Sequence, residues 1–229
     1  VLRGFNLELL SGENLVVLGK SGSGKSVLIK CMVGLLYQDK GLIEVFGKEI
    51  QGLDQDELDH IRVRIGFLFQ SSALYDSMTV RENLEFPLRR HWINKTRGEV
   101  NDLVMEALDN VGLRSAVNLM PSELSGGMRK RIGLARTLIL KPEIILYDEP
   151  TTGLHFHDIN KLLGSFNALI SKGHSIIVIE HNMDVIKCCD WVIDLGPEGG
   201  NEGGFVVFEG TPEDLAKEKT SYTGMFLKD

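Results

Sequence analysis

The sequence predicts an α/β domain with a mainly parallel core sheet, and three features of the chain indicate this fold class. Short apolar segments alternate with segments of helical spacing over most of the 229 residues. A glycine-rich loop joins the second predicted strand to the first predicted helix. Between about residues 71 and 142 the pattern is helical throughout. We therefore predict one domain over residues 1–229, with a core of 1–70 and 143–229 and an inserted helical subdomain.

The individual elements follow from the spacing of apolar residues. Strand patterns cover residues 5–9, 15–18, 42–46, 65–69, 144–147, 175–179, 192–195 and 206–208. Helical spacing covers residues 27–36, 54–62, 129–138, 154–170 and 182–188. Within the insertion, Thr79 with Glu82 and Thr96 with Glu99 have the spacing of capping boxes. Gly112 marks the end of the second inserted helix.

Composition narrows the class of protein. The chain has 25 Lys and Arg residues against 32 Asp and Glu residues, a formal charge of −7, and 43% hydrophobic residues. These values suit a soluble folded protein. No apolar run approaches the ~20 residues of a membrane span, so a membrane role requires a partner. The three cysteines, Cys31, Cys188 and Cys189, suit the reducing cytosol, and no secretory signal opens the chain.

A phosphate-binding loop is predicted between the second strand and the first helix. The pattern G-x-x-x-x-G-K-[ST] is matched in full by Gly19, Lys20, Ser21, Gly22, Ser23, Gly24, Lys25 and Ser26. Backbone N–H groups of such a loop point into one concavity, and the helix N-terminus adds partial positive charge. Lys25 can reach the β- and γ-phosphates, and the Ser26 hydroxyl can ligate Mg²⁺. The alternative is a flexible Gly/Ser loop that matches by chance.

Two carboxylates follow an apolar strand later in the chain. The strand at 144–147 runs directly into Asp148 and Glu149. Asp148 would hold the shell of Mg²⁺ through water, and Glu149 would orient or deprotonate an attacking water molecule. The alternative is an ordinary acidic turn before Pro150.

A second anion-binding loop is predicted at the start of a basic amphipathic helix. It consists of Leu124, Ser125, Gly126, Gly127 and Met128. The serine and the glycines would expose N–H groups at the helix start. One nucleotide has little use for two such sites in one chain, so we predict a dimer. Each ATP would then lie between residues 19–26 of one chain and 124–128 of the other. The alternative is a simple turn before the helix.

The order of GKSGSGKS, Gln70, LSGGM, IILYDE and His181 resembles the ATP-binding cassette (ABC) ATPases over essentially the whole chain. The resemblance implies a P-loop NTPase fold with an N-terminal antiparallel β part, ATP and Mg²⁺ as cofactors, and ATP hydrolysis. Gln70 resembles the glutamine that touches Mg²⁺ and water and faces a transport partner. His181 resembles the switch histidine that contacts the γ-phosphate. The alternatives are a polar residue at a strand end for Gln70 and an ordinary loop histidine for His181.

The two parts of the chain resemble different branches of this family. Up to about Pro150, residues 69–80 and Met128 resemble the ATPase subunits of Mla-type lipid transporters. From about Thr151, the resemblance is to the C-terminal part of the UvrA excision-repair ATPases, and it rests on residues 152–156, 178–182, 194–200 and 221–224. The two resemblances meet at residues 148–154. A chimera joined there is one hypothesis, and a divergent natural ABC protein is the other.

Two departures from the transporter pattern bear on nucleotide binding. The aromatic residue that stacks on adenine in ABC transporters has its expected place before Val1. Its absence would lower nucleotide affinity, because base–aromatic stacking is worth ~1–3 kcal/mol. His155 stands where transporters usually have Asp and UvrA-like proteins have His.

The function that the resemblance implies is ATP hydrolysis coupled to transport across a membrane. A homodimer or a second ABC domain would complete the ATP sites, and the helices at 79–111 with the Gln70 region would form the groove for a membrane subunit. The alternatives are a UvrA-like DNA-repair ATPase fragment and an engineered chimeric scaffold with weak nucleotide binding. Residues 151–229 hold 6 Lys and Arg residues against 12 Asp and Glu residues, which argues against a nucleic-acid partner. The expected location is the cytoplasm.

Overall fold

Strands and helices alternate along the chain in the computed structural model, which describes residues 1–70, 72–91, 94–200, 203–218 and 221–227. The strands are β1 (Asn14–Gly19), β2 (Glu44–Val45), β3 (Lys48–Glu49), β4 (Ile65–Leu68), β5 (Ile144–Asp148), β6 (Ser175–Ile179), β7 (Trp191–Gly196) and β8 (Phe205–Gly210). The α-helices are α1 (Lys25–Met32), α2 (Gln55–Val63), α3 (Val80–His91), α4 (Arg97–Asn110), α5 (Gly126–Leu138), α6 (Phe156–Ile170), α7 (Met183–Lys187), α8 (Pro212–Leu215) and α9 (Tyr222–Phe226).

A six-stranded sheet in the order β4-β5-β6-β1-β7-β8 forms the centre of the protein. Neighbouring strands from β4 to β7 are parallel, and β8 runs antiparallel to β7. The prediction of a mainly parallel sheet is therefore confirmed. Because the strands are parallel, the loops that follow β4, β5, β6, β1 and β7 all emerge at one edge of this sheet.

Both faces of the central strands β1, β5 and β6 are buried, which explains their continuous apolar runs. On β1, Val16 and Leu18 belong to one apolar core cluster, and Leu15 and Val17 belong to another. The first cluster is completed by helices α3 to α6 and the second by α1 and α2. Alternation of side chains along the strand places these neighbours on opposite faces.

Helices α3, α4 and α5 lie in the chain between β4 and β5, where the helical insertion is predicted. The Thr96 side chain accepts from the Glu99 N–H group, and the Glu99 carboxylate accepts from the Thr96 N–H group at 2.8 Å, which confirms the capping box. Thr79 and Glu82 exchange the same pair of hydrogen bonds at the start of α3. Gly112, with φ +65°, follows the end of α4 as predicted. The limits of a separate subdomain stay a prediction.

Several predicted element limits are wrong. Residues 5–9 form no strand, although their alternation is present: Phe5, Leu7 and Leu9 pack partly buried against the second core cluster. Within the described part of the chain no strand pairs with them, so alternation without a partner leaves them as an extended segment. The antiparallel β part before the insertion is only the β2–β3 ribbon. The first helix ends at Met32 because Gly34 adopts φ +66°. Ser71, within the 69–80 segment, lies outside the described residues.

We expect Gly112→Ala to lower the free energy of unfolding by about 1 kcal/mol, because its left-handed backbone disfavours a Cβ atom. A Cβ atom there meets nothing within 4 Å, so the effect is purely conformational. Gly164 is the matched control, since it lies inside α6 with open space around it. Gly164→Ala should raise the free energy of unfolding by about 0.5 to 1 kcal/mol. Urea unfolding of both variants checks this, and equal effects would contradict it.

Candidate nucleotide-binding site

The loop between β1 and α1 has a backbone that only glycine adopts readily. Gly19, Gly22 and Gly24 have φ values of +139°, +80° and +107°. A Cβ atom on Gly19 would lie 2.5 Å from the carbonyl oxygen of Leu195. These positions therefore require glycine for both conformation and space. The loop leads directly into the N-terminus of α1, as a phosphate-binding loop requires.

The Lys25 ammonium lies inside this loop without an anionic hydrogen-bond partner. Its Nζ donates to the carbonyl oxygens of Gly19 at 2.5 Å and Lys20 at 2.9 Å. Burial lowers the pKa of Lys25, and the nearby carboxylates of Glu149 and Asp148 act in the opposite direction. A partly buried cation at the N-terminus of a helix fits the negative charge of nucleotide phosphates.

A second observation on the same loop supports this fit. The Oγ atom of Ser23 is buried and has no hydrogen-bond partner in the structure. Buried hydroxyl groups are normally hydrogen-bonded, so this orphaned atom indicates a partner that binds at the loop. Ser26 lies exposed in the first turn of α1, where its hydroxyl is accessible.

The predicted carboxylates lie at the same edge of the sheet. Asp148 is the last residue of β5, and Glu149 follows it with φ +46°. The Glu149 N–H group donates to the carbonyl oxygen of Ile179 at 2.9 Å, which holds this strained backbone in place. Nε2 of Gln70 donates to Oε2 of Glu149 at 3.0 Å. The structure thus brings together Gln70 and Glu149, which are 79 positions apart in the chain.

The oxygen atoms around this point suit a hard divalent cation. The Ser26 hydroxyl, the Gln70 amide oxygen and the Asp148 carboxylate are the kind of ligands that Mg²⁺ prefers. The Gln70 amide nitrogen is engaged by Glu149, so its oxygen is the atom suited to a cation. Among the described residues, no group of three His, Cys, Asp or Glu side chains could hold a metal ion by itself.

Glu180 organises the neighbouring loops, and sequence reasoning gave it no role. Its side chain is fully buried. Oε1 accepts the Thr151 N–H group at 2.8 Å, and Oε2 accepts the N–H groups of His181 at 2.7 Å and Asn182 at 3.0 Å. One carboxylate thus joins the segment after Glu149 to the segment that carries His181. Its only sequence signal is an acidic residue directly after the apolar strand β6.

The two histidines that sequence analysis singled out are both exposed. The side chain of His181 is 72% exposed, with Nδ1 at 3.7 Å from Oε2 of Glu180. Its ring is therefore accessible at the sheet edge that carries Lys25 and Glu149. His155 precedes α6 as its N-cap residue and makes no side-chain cap hydrogen bond. His155 therefore lies exposed at the start of α6.

The predicted signature residues form the start of α5. Ser125 is the N-cap, and its Oγ accepts the Met128 N–H group at 3.2 Å. A Cβ atom on Gly127 would lie 3.1 Å from the Asp158 carboxylate, so glycine permits close packing of α5 against α6. Gly126 is exposed, and a Cβ atom there meets nothing within 4 Å. The helix start therefore offers an accessible N-terminus, while Leu124 just before it is buried.

Lys130, to which sequence reasoning gave no specific contact, connects α5 to the loop that follows Glu149. Its Nζ donates to the carbonyl oxygens of Pro150 at 2.6 Å and Thr152 at 2.5 Å. Burial lowers the pKa of Lys130, whereas the Glu180 and Glu149 carboxylates raise it. The basic run at 129–131 indicated a charged helix face, but its spacing alone does not reveal this contact.

A glycine-rich loop after β1 and two carboxylates at the end of β5 lie at the same edge of a mainly parallel sheet, separated by β6, and a helical insertion precedes β5. This combination defines an ATPase of the ATP-binding cassette class. The chain belongs to the ABC transporter family, whose sequence profile matches residues 2–152.

Relatives and solved structures agree with this class. The probable ribonucleotide transport ATP-binding protein mkl of Mycobacterium leprae strain TN is 43% identical over 184 residues, covering 79% of this chain and 52% of that protein. The UvrABC system protein A of Agrobacterium fabrum is 43% identical over 173 residues, covering 73% of this chain and 17% of that protein. The dimeric ATP-binding cassette MJ0796, in a post-hydrolysis state bound to ADP and Pi, superposes with a TM-score of 0.82 at 31% identity, covering 92% of this chain and 90% of that chain.

The lengths of these alignments test whether each relative resembles only one part of the chain. The chain spans about half the length of the mkl relative and a smaller share of UvrA. Each alignment is too long to stay on one side of residues 148–154. Similarity to either relative is therefore not confined to one half, and the chimera remains a hypothesis.

We expect Asp148→Asn to raise the free energy of unfolding at neutral pH while ATP hydrolysis falls at least about tenfold. Burial raises the pKa of Asp148 above its ordinary value, the Glu149 charge adds to this, and Lys25 and Lys30 oppose it. A carboxyl whose pKa is raised by folding destabilises the fold once it ionises. The gain in the free energy of unfolding should therefore be complete above the raised pKa of Asp148. It should vanish below about pH 3.8, where the carboxyl is protonated in both the folded and the unfolded state. Urea unfolding across pH checks this, and a gain that grows at low pH would contradict it.

Proposed function

We propose that this protein binds Mg-ATP at residues 19–26 and hydrolyses it with Glu149 as the water-positioning group. The observation that carries this proposal is the hydrogen bond from Gln70 to Glu149 beside the Lys25 ammonium. This hydrogen bond supports a site in which Glu149, the candidate base, lies close to the phosphate-binding loop at residues 19–26. The same class of protein includes a cassette solved with ADP and Pi.

Each residue of the site has a distinct part in this reaction. The N–H groups of the loop and Lys25 bind the β- and γ-phosphates, and Lys25 then exchanges its carbonyl partners for phosphate oxygens. When bound, Mg²⁺ neutralises charge on the phosphates. Glu149, held by Gln70, accepts a hydrogen bond from the attacking water and orients it in line. His181 presents an exposed ring near the γ-phosphate position and donates a hydrogen bond to it.

We further propose that two cassettes close around two nucleotides. The N-terminus of α5 at residues 125–127 is an accessible anion site, and it belongs to a different part of the fold from the phosphate loop. In a symmetric dimer each α5 N-terminus would meet the nucleotide held by the other chain. Closure would exclude water and strengthen every electrostatic contact with the phosphates.

Glu149→Gln should lower ATP turnover at least about 100-fold while ATP binding persists, because the amide keeps the shape of the side chain but cannot act as a base. Glu143→Gln is the matched control, since Glu143 lies just before β5 and is paired with Arg64 on the surface. The control should keep its turnover. Phosphate release and nucleotide titration measure the two effects. In gel filtration, ATP should shift the Glu149→Gln variant to a dimer, and full turnover in this variant would remove Glu149 from the mechanism.

We propose that ATP hydrolysis is coupled to a membrane subunit through a surface next to Gln70. Phe69 is 48% exposed, and the exposed rings of Tyr75 and Phe86 lie 4.9 Å apart. Buried Asn83 fixes the intervening loop, because it accepts the Tyr75 N–H group and donates to three carbonyl oxygens, Tyr75 among them. A rigid, exposed aromatic surface suits docking of another protein.

We propose a separate membrane-spanning subunit as the partner. Over the described residues, no helix is long and apolar enough to cross a membrane. The resemblance of residues 69–80 to Mla-type subunits favours a lipid cargo, whereas the name of the mkl relative refers to ribonucleotides. The relationship to UvrA supports a second candidate function, a DNA-repair ATPase.

The two candidate functions predict different activators. For the transporter, ATPase activity should rise in phospholipid vesicles that contain the cognate permease, and Phe86→Ser should remove the rise without changing basal turnover. For the repair ATPase, duplex DNA with a bulky lesion should raise turnover, with binding that weakens steeply as salt increases. We expect the first result, since the net charge of −7 disfavours a phosphate-tracking surface. If DNA stimulated turnover and the permease vesicles did not, the DNA-repair function would rank above the transporter function.

A further inference from the structure

The loop that follows β7 packs directly on the phosphate loop. The N–H group of Gly200 donates to the carbonyl oxygen of Gly22 at 3.1 Å. A Cβ atom on Gly199 would lie 2.3 Å from the carbonyl oxygen of Ser21. Backbone therefore contacts backbone with no room for a side chain. This close packing places the side chain of the preceding residue, Glu198, beside the phosphate loop.

Glu198 forms an ion pair with the second residue of the phosphate loop. Nζ of Lys20 lies 2.8 Å from Oε1 and 2.7 Å from Oε2 of Glu198. The same ammonium is 4.8 Å from the ring centroid of Tyr222. Tyr222 begins α9, whose N-cap Ser221 donates to the buried Asp194 carboxylate at 2.6 Å. Two anchored groups therefore hold the Lys20 ammonium in one position.

This position is adjacent to the phosphate cradle. The carbonyl oxygen of Lys20 accepts a hydrogen bond from Nζ of Lys25, the ammonium that would meet the β- and γ-phosphates. The Lys20 side chain therefore starts at the edge of the cradle. It carries a compact charge on a flexible four-carbon stem, so it can change partners by rotation alone.

The ion pair is weak enough to be exchanged. The side chains of Lys20 and Glu198 are 48% and 52% exposed, and exposed ion pairs contribute little because water competes for both charges. A terminal phosphate carries more negative charge than one carboxylate and offers three acceptor oxygens. A nucleoside triphosphate can therefore compete with Glu198 for the ammonium.

We propose that Lys20 is a second phosphate-contacting lysine, which Glu198 holds beside the loop and releases to the terminal phosphate of a nucleoside triphosphate. Lys20 thus selects triphosphates over diphosphates, and Glu198 is a positioning residue that sets how readily the ammonium is released. This inference rests on the proposed binding of Mg-ATP at residues 19–26.

Substitution of Lys20 and substitution of Glu198 should have opposite effects on the affinity for a nucleoside triphosphate. Loss of Lys20 removes a contact to the terminal phosphate. Loss of the Glu198 charge frees the ammonium and removes an anion that repels phosphate. A purely structural ion pair would behave differently, because its loss from either side breaks the same contact and changes binding in the same direction.

The experiment compares dissociation constants for Mg-ADP and for the Mg complex of the β,γ-imido analogue of ATP, measured by calorimetry. Lys20→Gln should weaken binding of the analogue about tenfold and leave ADP binding within about twofold. Glu198→Gln should strengthen binding of the analogue about threefold and leave ADP binding unchanged. Lys48→Gln is the matched control, because Lys48 and Glu57 form an ion pair of similar exposure at 3.2 Å on the β2–β3 ribbon. The control should bind both nucleotides as the wild type does.

Three results would overturn the inference while the proposed function stands. These are an equal loss of ADP and analogue binding in Lys20→Gln, unchanged analogue binding in that variant, and weaker analogue binding in Glu198→Gln. Failure of the proposed function gives a separate result, since the wild type would then bind neither nucleotide. Thermal unfolding of each variant shows that the fold is retained before binding is compared.

Discussion

The parallel pairing of β1 between β6 and β7 is the constraint on which the rest of the structure depends. It aligns the ends of the strands, so that Gly19, Ile179 and Gly196 lie near one edge of the sheet. The loops that follow β6, β1 and β7 are therefore neighbours, and they carry His181, residues 19–26 and the Gly199–Gly200 pair. A shift of one residue in this register would exchange the side chains of β1 between its two buried faces and displace these loops relative to one another.

Buried charges then connect the loops to each other. Within the part of the chain that the structure describes, the Glu180 carboxylate accepts hydrogen bonds from three backbone N–H groups, those of Thr151, His181 and Asn182. Lys130 has the opposite charge and the opposite kind of partner. Its ammonium donates to backbone carbonyl oxygens of the segment after Glu149. Both charges therefore act on the same short segment from opposite sides. A movement of α5 would be transmitted through Lys130 to the loop of the candidate base.

Sequence alone predicts those parts of the site that depend on neighbouring residues in the chain. It does not predict the parts that depend on contacts between residues far apart in the chain. Residues 19–26 form one continuous motif, so their conformation follows from their own glycines. Residues 5–9 also show a clear local pattern, but a strand needs a partner and the pattern does not supply one. The contacts of Glu180, Lys130 and Lys20 span 29, 20 and 178 positions of the chain. No spacing rule within one segment can predict such pairs.

The close fit of Gly199 against Ser21 limits how this fold can be assembled from parts. The contact joins the loop after β1 to the loop after β7, and a Cβ atom on Gly199 would lie 2.3 Å from the carbonyl oxygen of Ser21. Exchange of the last third of the chain between related proteins would succeed only if the incoming segment carried glycine at this position. The two loops therefore have to match each other in shape, although more than a hundred residues separate them in the chain.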